Sequence, residues 1–475
     1  MILHGKQVTG FAIDHRKVAP GTVFGAFQGA TVNGEDFIPA ALAAGAIAIV
    51  ARPEALVDAS VHITGANPRQ TFAQLAAQFF TPVPETVVAI TGTNGKTSTA
   101  EMVRQLWRMA GHRAASIGTL GVTTADESIS TGLTTPDIVT FLSNVSGLAR
   151  EGVTHLAYEA SSHGLSQYRN EGVRVVAGAF TNLSRDHLDY HSSMDDYFAA
   201  KMRLFDEVVD PAGTAVIWAD DEWSGRAITH AERRGLAVLT VGRTGAGLRL
   251  LSAVPGHLGQ TLEIEHAGVV RTVKLPLIGA YQTANALVAA ALVLATGSGT
   301  AQTFDALARL QPVRGRLERA AISRAGAPIY VDYAHTPDAL EAAISALRPH
   351  TRGRLIVVFG AGGDRDQGKR PQMGTVAVQH ADLGIVTDDN PRGEDPAAIR
   401  AMVLAGGAAL REVGDRRAAI AAAIGAAGPD DIVLIAGKGH EQGQIIGSGD
   451  QQRVLPFDDV TVARECAAPA ARITA

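Results

Sequence analysis

The stretch from Val87 to Trp107 constrains the fold more than any other part of the chain. Its short apolar run, Val87 to Ile90, predicts a buried strand, and the residues from Lys96 onward predict a helix. The turn that joins them contains Thr91, Gly92, Thr93, Asn94 and Gly95. In such a turn the backbone N–H groups and the positive end of the helix face an anion, so the geometry cradles phosphate. The stretch therefore predicts an ATP-binding loop.

Two side chains at the start of the helix have the chemistry of nucleotide binding. The Lys96 ammonium would supply positive charge to the β- and γ-phosphates, and the Thr97 hydroxyl would supply a ligand for Mg²⁺. The loop is shorter than usual, because Ile90 stands where a glycine is expected ahead of Gly95. The alternative is a glycine turn that only joins two core elements. We favour the ATP site because a Gly-Lys-Thr sequence comes in the turn after a predicted strand.

Composition narrows the class of protein. A chain of 475 residues with 46% hydrophobic content predicts several folded domains and excludes a disordered chain. The net charge of −5 argues against a general nucleic-acid binder or a ligand of anionic membranes. A single cysteine, Cys466, excludes internal disulfides and a cysteine-rich metal site. No signal pattern opens the chain, and the longest apolar stretch, Ala40 to Ala51, is too short to span a bilayer. We expect a cytoplasmic protein without membrane insertion.

Two proline-containing segments, 81–84 and 311–316, predict linkers. Strands and helices alternate between them and again after the second, which predicts two α/β units with mostly parallel sheets. The predicted strands are Val87–Ile90, His155–Glu159, Val175–Phe180, Ala215–Ala219, Ile329–Asp332, Leu355–Phe359, Leu383–Thr387 and Ile432–Ile435. Parallel sheets bind ligands at the carboxyl ends of their strands, and the ATP loop follows such an end.

Polar residues follow other predicted strands in the central region. Glu159 ends one strand, where a carboxylate could bind Mg²⁺ beside the loop; the alternative is a solvated loop acid. The segment from Thr181 to His191 is dense in carboxylates and imidazoles and predicts a polar active-site loop. It is not a zinc site by spacing, since the helical His-Glu-x-x-His pattern is absent. Lys201 by itself indicates only a helix-surface lysine.

Three further turns follow strands of the last region. They are 360–366, rich in glycine, 388–392, and 437–441. Because parallel strands present their carboxyl ends along one edge, these turns predict one ligand crevice lined by all three.

The whole set of motifs closely resembles the Mur ligases, ATP-dependent amide-forming enzymes of bacterial cell-wall precursor synthesis. Within that family it is most similar to the branch that adds the third amino acid, the MurE type. The matching segments are 91–97, 159–165, 181–191, 332–337, 362–365, 388–392 and 437–441. The shortened ATP loop is part of the match.

The resemblance implies three domains. They are a small N-terminal α/β domain (1–82) that binds the uridine nucleotide, a central P-loop-like ATPase domain with a parallel sheet (83–310), and a Rossmann-like C-terminal domain (311–475) that brings the amino acid. The D-glutamate side-chain carboxylate of UDP-N-acetylmuramoyl-L-alanyl-D-glutamate would attack the γ-phosphate of ATP and give an acyl phosphate. The amine of meso-2,6-diaminopimelate would then displace phosphate. Two anions must meet in the first step, so Mg²⁺, Lys96 and loop amides are needed to offset their repulsion. We expect a monomer.

The resemblance also assigns roles to residues. Thr97 and Glu159 would hold one Mg²⁺, and His187 and Lys201 would hold a second. Lys201 matches a lysine that is carbamylated by CO₂ in this family. With Lys96, the residues Glu159, His187 and Lys201 form the expected catalytic set. The expected ATP-binding residues are Gly92, Thr93, Asn94, Gly95, Lys96, Thr97, Ser98, Asn285, Arg316, Asp332 and His335. The expected contacts to the UDP-muramoyl-dipeptide are His15, Thr134, Thr135, Ser161, Gln167 and Arg169. His15 stands where the family pattern has a serine.

The segment Asp389-Asn390-Pro391-Arg392 resembles the form associated with meso-diaminopimelate rather than L-lysine. Meso-diaminopimelate has a second carboxylate, and a guanidinium such as that of Arg392 offers it a bidentate partner. The remaining expected contacts to this amino acid are Arg365, Gly437 and Glu441.

Four alternatives remain at this point. The first is the L-lysine-adding ligase of the same type, and the second is a folylpolyglutamate synthase of the same superfamily. A P-loop ATPase switch and a nucleotide-binding module without catalysis belong to other classes.

Overall fold

The computed structural model describes residues 1–29, 32–58, 61–125, 127–129, 134–188, 190–256 and 258–468. The strands are Ile2–Leu3 (β1), Lys6–Gln7 (β2), Gly10–Ala12 (β3), Thr22–Gly25 (β4), Ala48–Val50 (β5), His62–Ile63 (β6), Thr86–Thr91 (β7), Ala114–Gly118 (β8), Gly121–Thr123 (β9), Ser128–Ile129 (β10), His155–Glu159 (β11), Val175–Phe180 (β12), Val209–Trp218 (β13), Ala237–Gly242 (β14), Leu248–Gly256 (β15), Gly259–His266 (β16), Val269–Leu275 (β17), Glu318–Ile322 (β18), Pro328–Asp332 (β19), Leu355–Phe359 (β20), Leu383–Val386 (β21), Arg411–Glu412 (β22), Ile432–Ala436 (β23), Gly443–Ile446 (β24) and Arg453–Pro456 (β25).

The α-helices alternate with these strands. They are Ile38–Ala43 (α1), Pro68–Phe79 (α2), Lys96–Met109 (α3), Ile138–Arg150 (α4), Ser162–Ser166 (α5), Met194–Arg203 (α6), Ser224–Arg233 (α7), Ala280–Ala295 (α8), Thr300–Leu307 (α9), Pro337–Leu347 (α10), Lys369–His380 (α11), Pro396–Leu404 (α12), Arg416–Ala426 (α13) and Asp459–Ala467 (α14). Short 3₁₀ segments cover His15–Lys17, Gly34–Phe37, Arg348–His350 and Gly449–Gln451, and a π-helical turn covers Leu204–Val208. Among the described helices, none is both long and apolar enough to cross a membrane.

The N-terminal region is a small α/β layer. Its strands pair in parallel in the order β3-β4-β5-β6. Helix α2 begins at Pro68 because the Asn67 side chain accepts from the first free backbone N–H groups, and proline has no N–H that would need an acceptor there. Its buried face packs Phe72 edge-on against Phe11, with ring centroids 5.5 Å apart. This arrangement confirms the predicted small α/β region.

The central sheet carries the ATP loop at its middle. Within it the strands run in the order β10-β9-β8-β11-β7-β12-β13-β14, and β7 pairs in parallel with β11 and β12. The residues from Val87 to Ile90 are fully buried, as a strand covered on both faces requires. Three predicted strands are confirmed within a residue at each end, and the fourth is longer than predicted, since β13 begins at Val209.

The C-terminal sheet has the order β18-β19-β23-β20-β21-β22, with parallel pairing from β19 onward and β18 antiparallel at the edge. All four strands predicted in this region are confirmed within a residue at each end. Because β19, β23, β20 and β21 point the same way, the polar turns that follow them emerge at one edge.

The chain separates into two compact units. The first comprises Met1–Leu250, Glu265–Val269 and Ala284–Ala306, and the second comprises Leu251–Ile264, Val270–Thr283 and Leu307–Ala475. The predicted α/β class with parallel sheets is confirmed. The boundaries at 82/83 and 310/311 stay a prediction.

Candidate active site

The turn between β7 and α3 adopts a shape that only glycine permits at two positions. Gly92 and Gly95 have φ angles of +146° and +86°. A Cβ on Gly92 would collide with the Thr181 hydroxyl, and one on Gly95 would collide with the Asn285 side chain. Both glycines are therefore required by backbone conformation and by close approach. The loop places Asn285, from α8, directly against its helix-proximal end.

The segment that follows β12 holds this loop in place. The N–H groups of Thr93 and Asn94 donate to the Asn182 backbone and side-chain oxygens, each at 2.9 Å. The Thr181 hydroxyl donates to the Asn94 carbonyl at 2.6 Å. Phe180 lies opposite Thr91 in the parallel pairing of β12 with β7, which brings the two segments together. Sequence reasoning missed this function of Thr181 and Asn182, because these residues become neighbours of the loop only through the order of the strands in the folded sheet.

Two lysines converge on the loop. The Lys96 Nζ donates to the Gly92 and Thr93 carbonyls at 2.9 and 2.8 Å, and the Lys201 Nζ donates to the same Gly92 carbonyl at 2.7 Å. Lys201 is 1% exposed and its Nζ lies 4.3 Å from the Tyr197 ring centroid. Burial, and then the Lys96 charge, hold the pKa of Lys201 well below its usual range. A surface position for Lys201, the expectation from sequence alone, is wrong.

Glu159 ends β11 as predicted and is 2% exposed. Its carboxylate accepts from the Thr119 N–H at 2.7 Å and from the Thr119 hydroxyl at 3.3 Å. Glu159 and Thr97 line one small cavity, together with Glu101 and Ser116. A solvated loop acid, the alternative considered for Glu159, is excluded by this burial.

Hydroxyl and carboxylate oxygens are the ligands that Mg²⁺ prefers, so the pair Thr97 and Glu159 fits that ion. Among the described residues, no group of three or more His, Cys, Asp or Glu side chains is arranged to hold a metal. Magnesium commonly takes few protein ligands and completes its shell with waters and nucleotide phosphates. The donor set at this loop has that character.

His187 lies beyond the loop, in the polar segment after β12. It is a non-glycine residue with φ of +53°, its side chain is 43% exposed, and its Nε2 lies 3.5 Å from an Asp186 carboxylate oxygen. The His187 ring centroid is 5.9 Å from that of Tyr197, and the Tyr197 ring is the one whose centroid lies 4.3 Å from the Lys201 Nζ. The structure thus brings His187 and Lys201 close to the same tyrosine ring. Asp189 of this segment lies outside the described residues.

The expected contacts to the muramoyl-dipeptide form one hydrogen-bonded network, with His15 as the exception. The Thr135 and Ser161 hydroxyls are 2.9 Å apart, and the Arg169 guanidinium donates to the Thr135 carbonyl at 3.1 Å and to the Gln167 side chain at 2.7 Å. The Thr134 hydroxyl lies 3.1 Å from that of Thr119, which binds Glu159. His15 instead stacks on Phe37 of the N-terminal region, with ring centroids 4.4 Å apart.

The remaining expected ATP residues surround Tyr333 in the second compact unit. The Arg316 guanidinium lies 4.7 Å from the Tyr333 ring centroid, and the His335 Nδ1 is 2.8 Å from the Tyr333 carbonyl. Asp332 accepts from the Leu317 N–H at 2.7 Å, and burial raises the pKa of its carboxyl group. Burial lowers the pKa of His335.

The turns predicted to line a ligand crevice meet at the end of the C-terminal sheet. Asn390 donates to the Glu441 carboxylate at 2.9 Å, and the Arg392 guanidinium donates to the Gly363 carbonyl at 3.0 Å. Gly437 has φ of +117°, and a Cβ there would lie 2.7 Å from the Asp389 carboxylate. The structure therefore brings turns 388–392 and 437–441 together, with Gly363 from the third turn.

Two residues of this crevice were missed by sequence reasoning, and one expected residue stays at its margin. Lys438 is fully buried beneath Asn390, and Arg416 donates to the Asp388 carbonyl at 3.3 Å and to the Ala436 carbonyl at 3.0 Å. No spacing rule marks either residue, because their burial follows from how the turns pack. Arg365 is exposed in the turn after β20.

Models of known protein families match most of the chain. Residues 7–84 match the "Mur ligase family, catalytic domain", residues 90–293 the "Mur ligase middle domain", and residues 315–439 the "Mur ligase, glutamate ligase domain". A UDP-N-acetylmuramoyl-L-alanyl-D-glutamate--2,6-diaminopimelate ligase of Zymomonas mobilis is 61% identical over 458 residues, 96% of this chain and 94% of that protein. The same-named ligase of Bradyrhizobium diazoefficiens is 53% identical over 95% of this chain and 93% of its own length.

Solved structures of Mur ligases are also similar to this chain. A structure of a ligase with the same name has a TM-score of 0.74 and 33% identity, covering 97% of this chain and 94% of that one. A MurF ligase from Thermotoga maritima in complex with ADP has a TM-score of 0.61 at 20% identity, covering 91% and 94%, and shares the fold. The chain belongs to the Mur ligase family.

Proposed function

We propose that this protein is the ATP-dependent ligase that joins meso-2,6-diaminopimelate to the D-glutamate γ-carboxylate of UDP-N-acetylmuramoyl-L-alanyl-D-glutamate. The observation that carries the proposal is the relative of that name, 61% identical over 96% of this chain. The product is a precursor of peptidoglycan. The reaction passes through an acyl phosphate, because a carboxylate is a poor acyl donor until its oxygen becomes part of a phosphate leaving group.

The ATP loop provides the first half of the reaction. The residues from Gly92 to Ser98 surround the nucleotide phosphates, and the Lys96 ammonium offsets the repulsion between the γ-phosphate and the attacking carboxylate. Thr97 and Glu159 would hold Mg²⁺, and the bound ion would supply positive charge that offsets the charge of the transferred phosphoryl group. Asn285, Asp332 and His335 are proposed to contact the adenine and ribose, and Arg316 the nucleotide phosphates.

Lys201 is proposed to react with CO₂ to form a carbamate. A lysine is a nucleophile only when neutral, and the depressed pKa of Lys201 raises the neutral fraction. The nitrogen lone pair forms a bond to the carbon of CO₂ while one C=O π bond breaks and its electron pair moves to the oxygen. One proton then leaves the nitrogen for solvent. The product carries a negative charge beside Lys96, so it replaces repulsion between two ammonium groups with attraction. Together with His187, this carbamate would provide ligands for a second Mg²⁺.

The muramoyl-dipeptide is proposed to bind the network of Thr134, Thr135, Ser161, Gln167 and Arg169. This network includes a guanidinium whose pKa is lowered by burial, which suits it to a substrate anion. Since Thr135 donates to the Glu159 carbonyl at 2.9 Å, the network places the substrate beside the proposed Mg²⁺ site. His15 is proposed to contact the uridine part from the N-terminal region.

The crevice at the end of the C-terminal sheet is proposed to bind meso-diaminopimelate. Arg392 and Asn390 present N–H donors that suit the distal carboxylate, and Arg365 adds positive charge. The Glu441 carboxylate and the Gly437 carbonyl are acceptors for the distal ammonium, and Asp389 and Pro391 shape the wall. L-lysine lacks that carboxylate and would leave the cationic donors unmatched.

We further propose that the enzyme acts in the cytoplasm as a monomer, with domain boundaries at 82/83 and 310/311. All substrates are polar, and their binding residues come from one chain.

The test is to incubate the purified protein with ATP, Mg²⁺ and the UDP-muramoyl-dipeptide, and to offer meso-diaminopimelate or L-lysine while phosphate release is measured. We expect phosphate release with meso-diaminopimelate and little with L-lysine. Phosphate release that prefers L-lysine would identify the lysine-adding ligase, and release with a folate and glutamate would identify the folylpolyglutamate synthase. Hydrolysis of ATP without either acceptor or amine would indicate a P-loop ATPase, and the absence of any turnover a binding module.

A further inference from the structure

Lys438 is a completely buried ammonium group in the turn after β23. Its side chain is 0% exposed, and its Nζ donates to the Asn390 side-chain oxygen at 2.7 Å and to the Gly443 carbonyl at 2.8 Å. Two carboxylates lie slightly farther from the same Nζ, Asp389 at 3.4 Å and Glu441 at 3.6 Å. Burial lowers the pKa of Lys438, and the Asp389 charge opposes that shift. The partners of this ammonium group therefore come from turns 388–392 and 437–441 and from Gly443 at the start of β24.

Lys438 is one of three groups that determine which way the Asn390 amide points. The Asn390 oxygen accepts from Lys438 and also from the Ile445 N–H at 2.9 Å, and its nitrogen donates to Glu441 at 2.9 Å. A rotated amide would place its NH₂ group against an ammonium and an N–H, and its oxygen against a carboxylate. Three unfavourable contacts would replace three hydrogen bonds, so one orientation is strongly favoured.

This orientation matters because the two ends of an amide recognise opposite groups. An amide nitrogen carries two hydrogens, and among the described residues Glu441 is the acceptor for one of them. The other hydrogen can meet a carboxylate in the crevice, as the neighbouring Arg392 guanidinium can. An amide oxygen in the same place would repel that carboxylate.

We propose that Lys438 is a positioning residue that sets the preference for an amino acid with a second carboxylate, by holding the Asn390 amide with its NH₂ group toward the crevice. This inference rests on the proposed function, since it takes meso-diaminopimelate as the occupant. Lys438 acts through Asn390 and does not itself touch the substrate. The alternative is a purely structural lysine that ties turns 388–392 and 437–441 together.

The two roles differ in what a substitution changes. Lys438→Met removes the hydrogen bonds to Asn390 and Gly443 at nearly constant volume, and with them one of the three contacts that orient the Asn390 amide. Losing an ammonium hydrogen bond to a buried acceptor typically corresponds to about 10- to 100-fold in binding. We expect kcat/KM for meso-diaminopimelate to fall by about 100-fold, with unchanged KM values for ATP and the UDP-muramoyl-dipeptide. The preference for meso-diaminopimelate over L-lysine should fall by at least about 10-fold, because L-lysine makes no use of the NH₂ group.

The matched control is the same substitution in an Asn390→Ala background. If Lys438 acts through Asn390, Lys438→Met causes no further loss of preference once the amide is gone. Lys438→Gln keeps one N–H donor for the Asn390 oxygen, and we expect it to retain part of the preference. If Lys438→Met does not fold, the substrate preference of Lys438→Gln provides the test instead.

The inference is overturned if Lys438→Met and Lys438→Gln keep the wild-type preference, or if the loss of preference is undiminished in the Asn390→Ala background. A uniform fall in activity with all three substrates would likewise assign a structural role only. Failure of the proposed function has a different signature, because the wild-type protein itself would then not use meso-diaminopimelate.

Discussion

Lys96 and Lys201 donate to the same oxygen atom, the backbone carbonyl of Gly92, at 2.9 and 2.7 Å. The two residues are far apart in sequence and belong to different helices, α3 and α6. One carbonyl dipole cannot fully offset two neighbouring ammonium charges in a buried site, so the more buried lysine tends to lose its proton. The state of Lys201 is therefore coupled to the loop that binds ATP.

Replacement of Lys201 tests this coupling. We expect Lys201→Ala to lower ligation by about 1000-fold or more, since the proposed carbamate and the metal contacts it would make are lost. Added acetate or formate should restore part of the activity by placing a small carboxylate in the vacated space, measured as phosphate release. Lys96→Ala is the matched control, because a carboxylate cannot replace its positive charge and no rescue is expected. Wild-type turnover by Lys201→Ala would contradict the carbamate proposal.

Arg392 tests the amino-acid crevice. Its guanidinium is oriented by the Gly363 carbonyl at 3.0 Å, in a residue held at a φ of +51°. Arg392→Lys keeps the charge but loses the planar fork, so kcat/KM for meso-diaminopimelate should fall by about 10- to 100-fold. The KM for ATP serves as the internal control and should stay unchanged. An unaltered preference for meso-diaminopimelate in steady-state kinetics would remove Arg392 from the site.

The ion pair of Arg416 and Asp459 supports the crevice from below. The two side chains are 1% and 0% exposed, and Arg416 donates to both Asp459 oxygens at 2.8 and 2.7 Å. Breaking such a pair leaves a charge buried, so Arg416→Met should lower the free energy of unfolding by about 3–5 kcal/mol. Urea unfolding measures this loss. The double variant Arg416→Met/Asp459→Leu should regain most of it, and a double variant as unstable as the single one would refute the argument.

His155 makes stability depend on pH. Burial, and then the neighbouring His112, lower the pKa of His155 from its ordinary value of 6.5 to about 4, and the two imidazole centroids are 3.9 Å apart. The unfolded chain therefore binds a proton between pH 6.5 and 4 that the folded protein does not. Stability is full above pH 6.5 and falls as pH drops through that interval.

The urea midpoint at pH 5 and at pH 7.5 checks this dependence. We expect a smaller difference between the two midpoints in His155→Phe than in the wild-type protein. Equal differences in the two proteins would show that other groups account for the acid sensitivity.

Regular elements could be predicted from sequence because their signals are local. The buried apolar run of β7, the glycines after it and the terminal carboxylate of β11 follow from the residues themselves, and the structure confirms them. Lys201 shows the limit of that approach: the alternation of polar and apolar residues in α6 does not reveal that its ammonium faces Gly92. Thr181 and Asn182 show the same limit, because their contacts depend on β12 lying beside β7.

The burial of Lys438 and Arg416 could not be predicted from sequence for a related reason. A charged residue is expected at the surface unless it is paired, and the partners of these two come from turns distant in sequence. Only the packing of those turns makes them neighbours. Functional motifs were thus predictable as sets of residues, whereas the side chains that orient them were not.

The hydrogen bonds from Thr181 and Asn182 to the glycine loop have a consequence for how the enzyme uses its binding energy. Folding of the central sheet already orders the loop, so little conformational entropy of the loop is lost when the nucleotide binds. The amide hydrogens of Thr93 and Asn94 should therefore exchange slowly with solvent before any ligand binds. The free energy of ATP binding is then available to bring the two anions together, because none of it is needed to order the loop backbone.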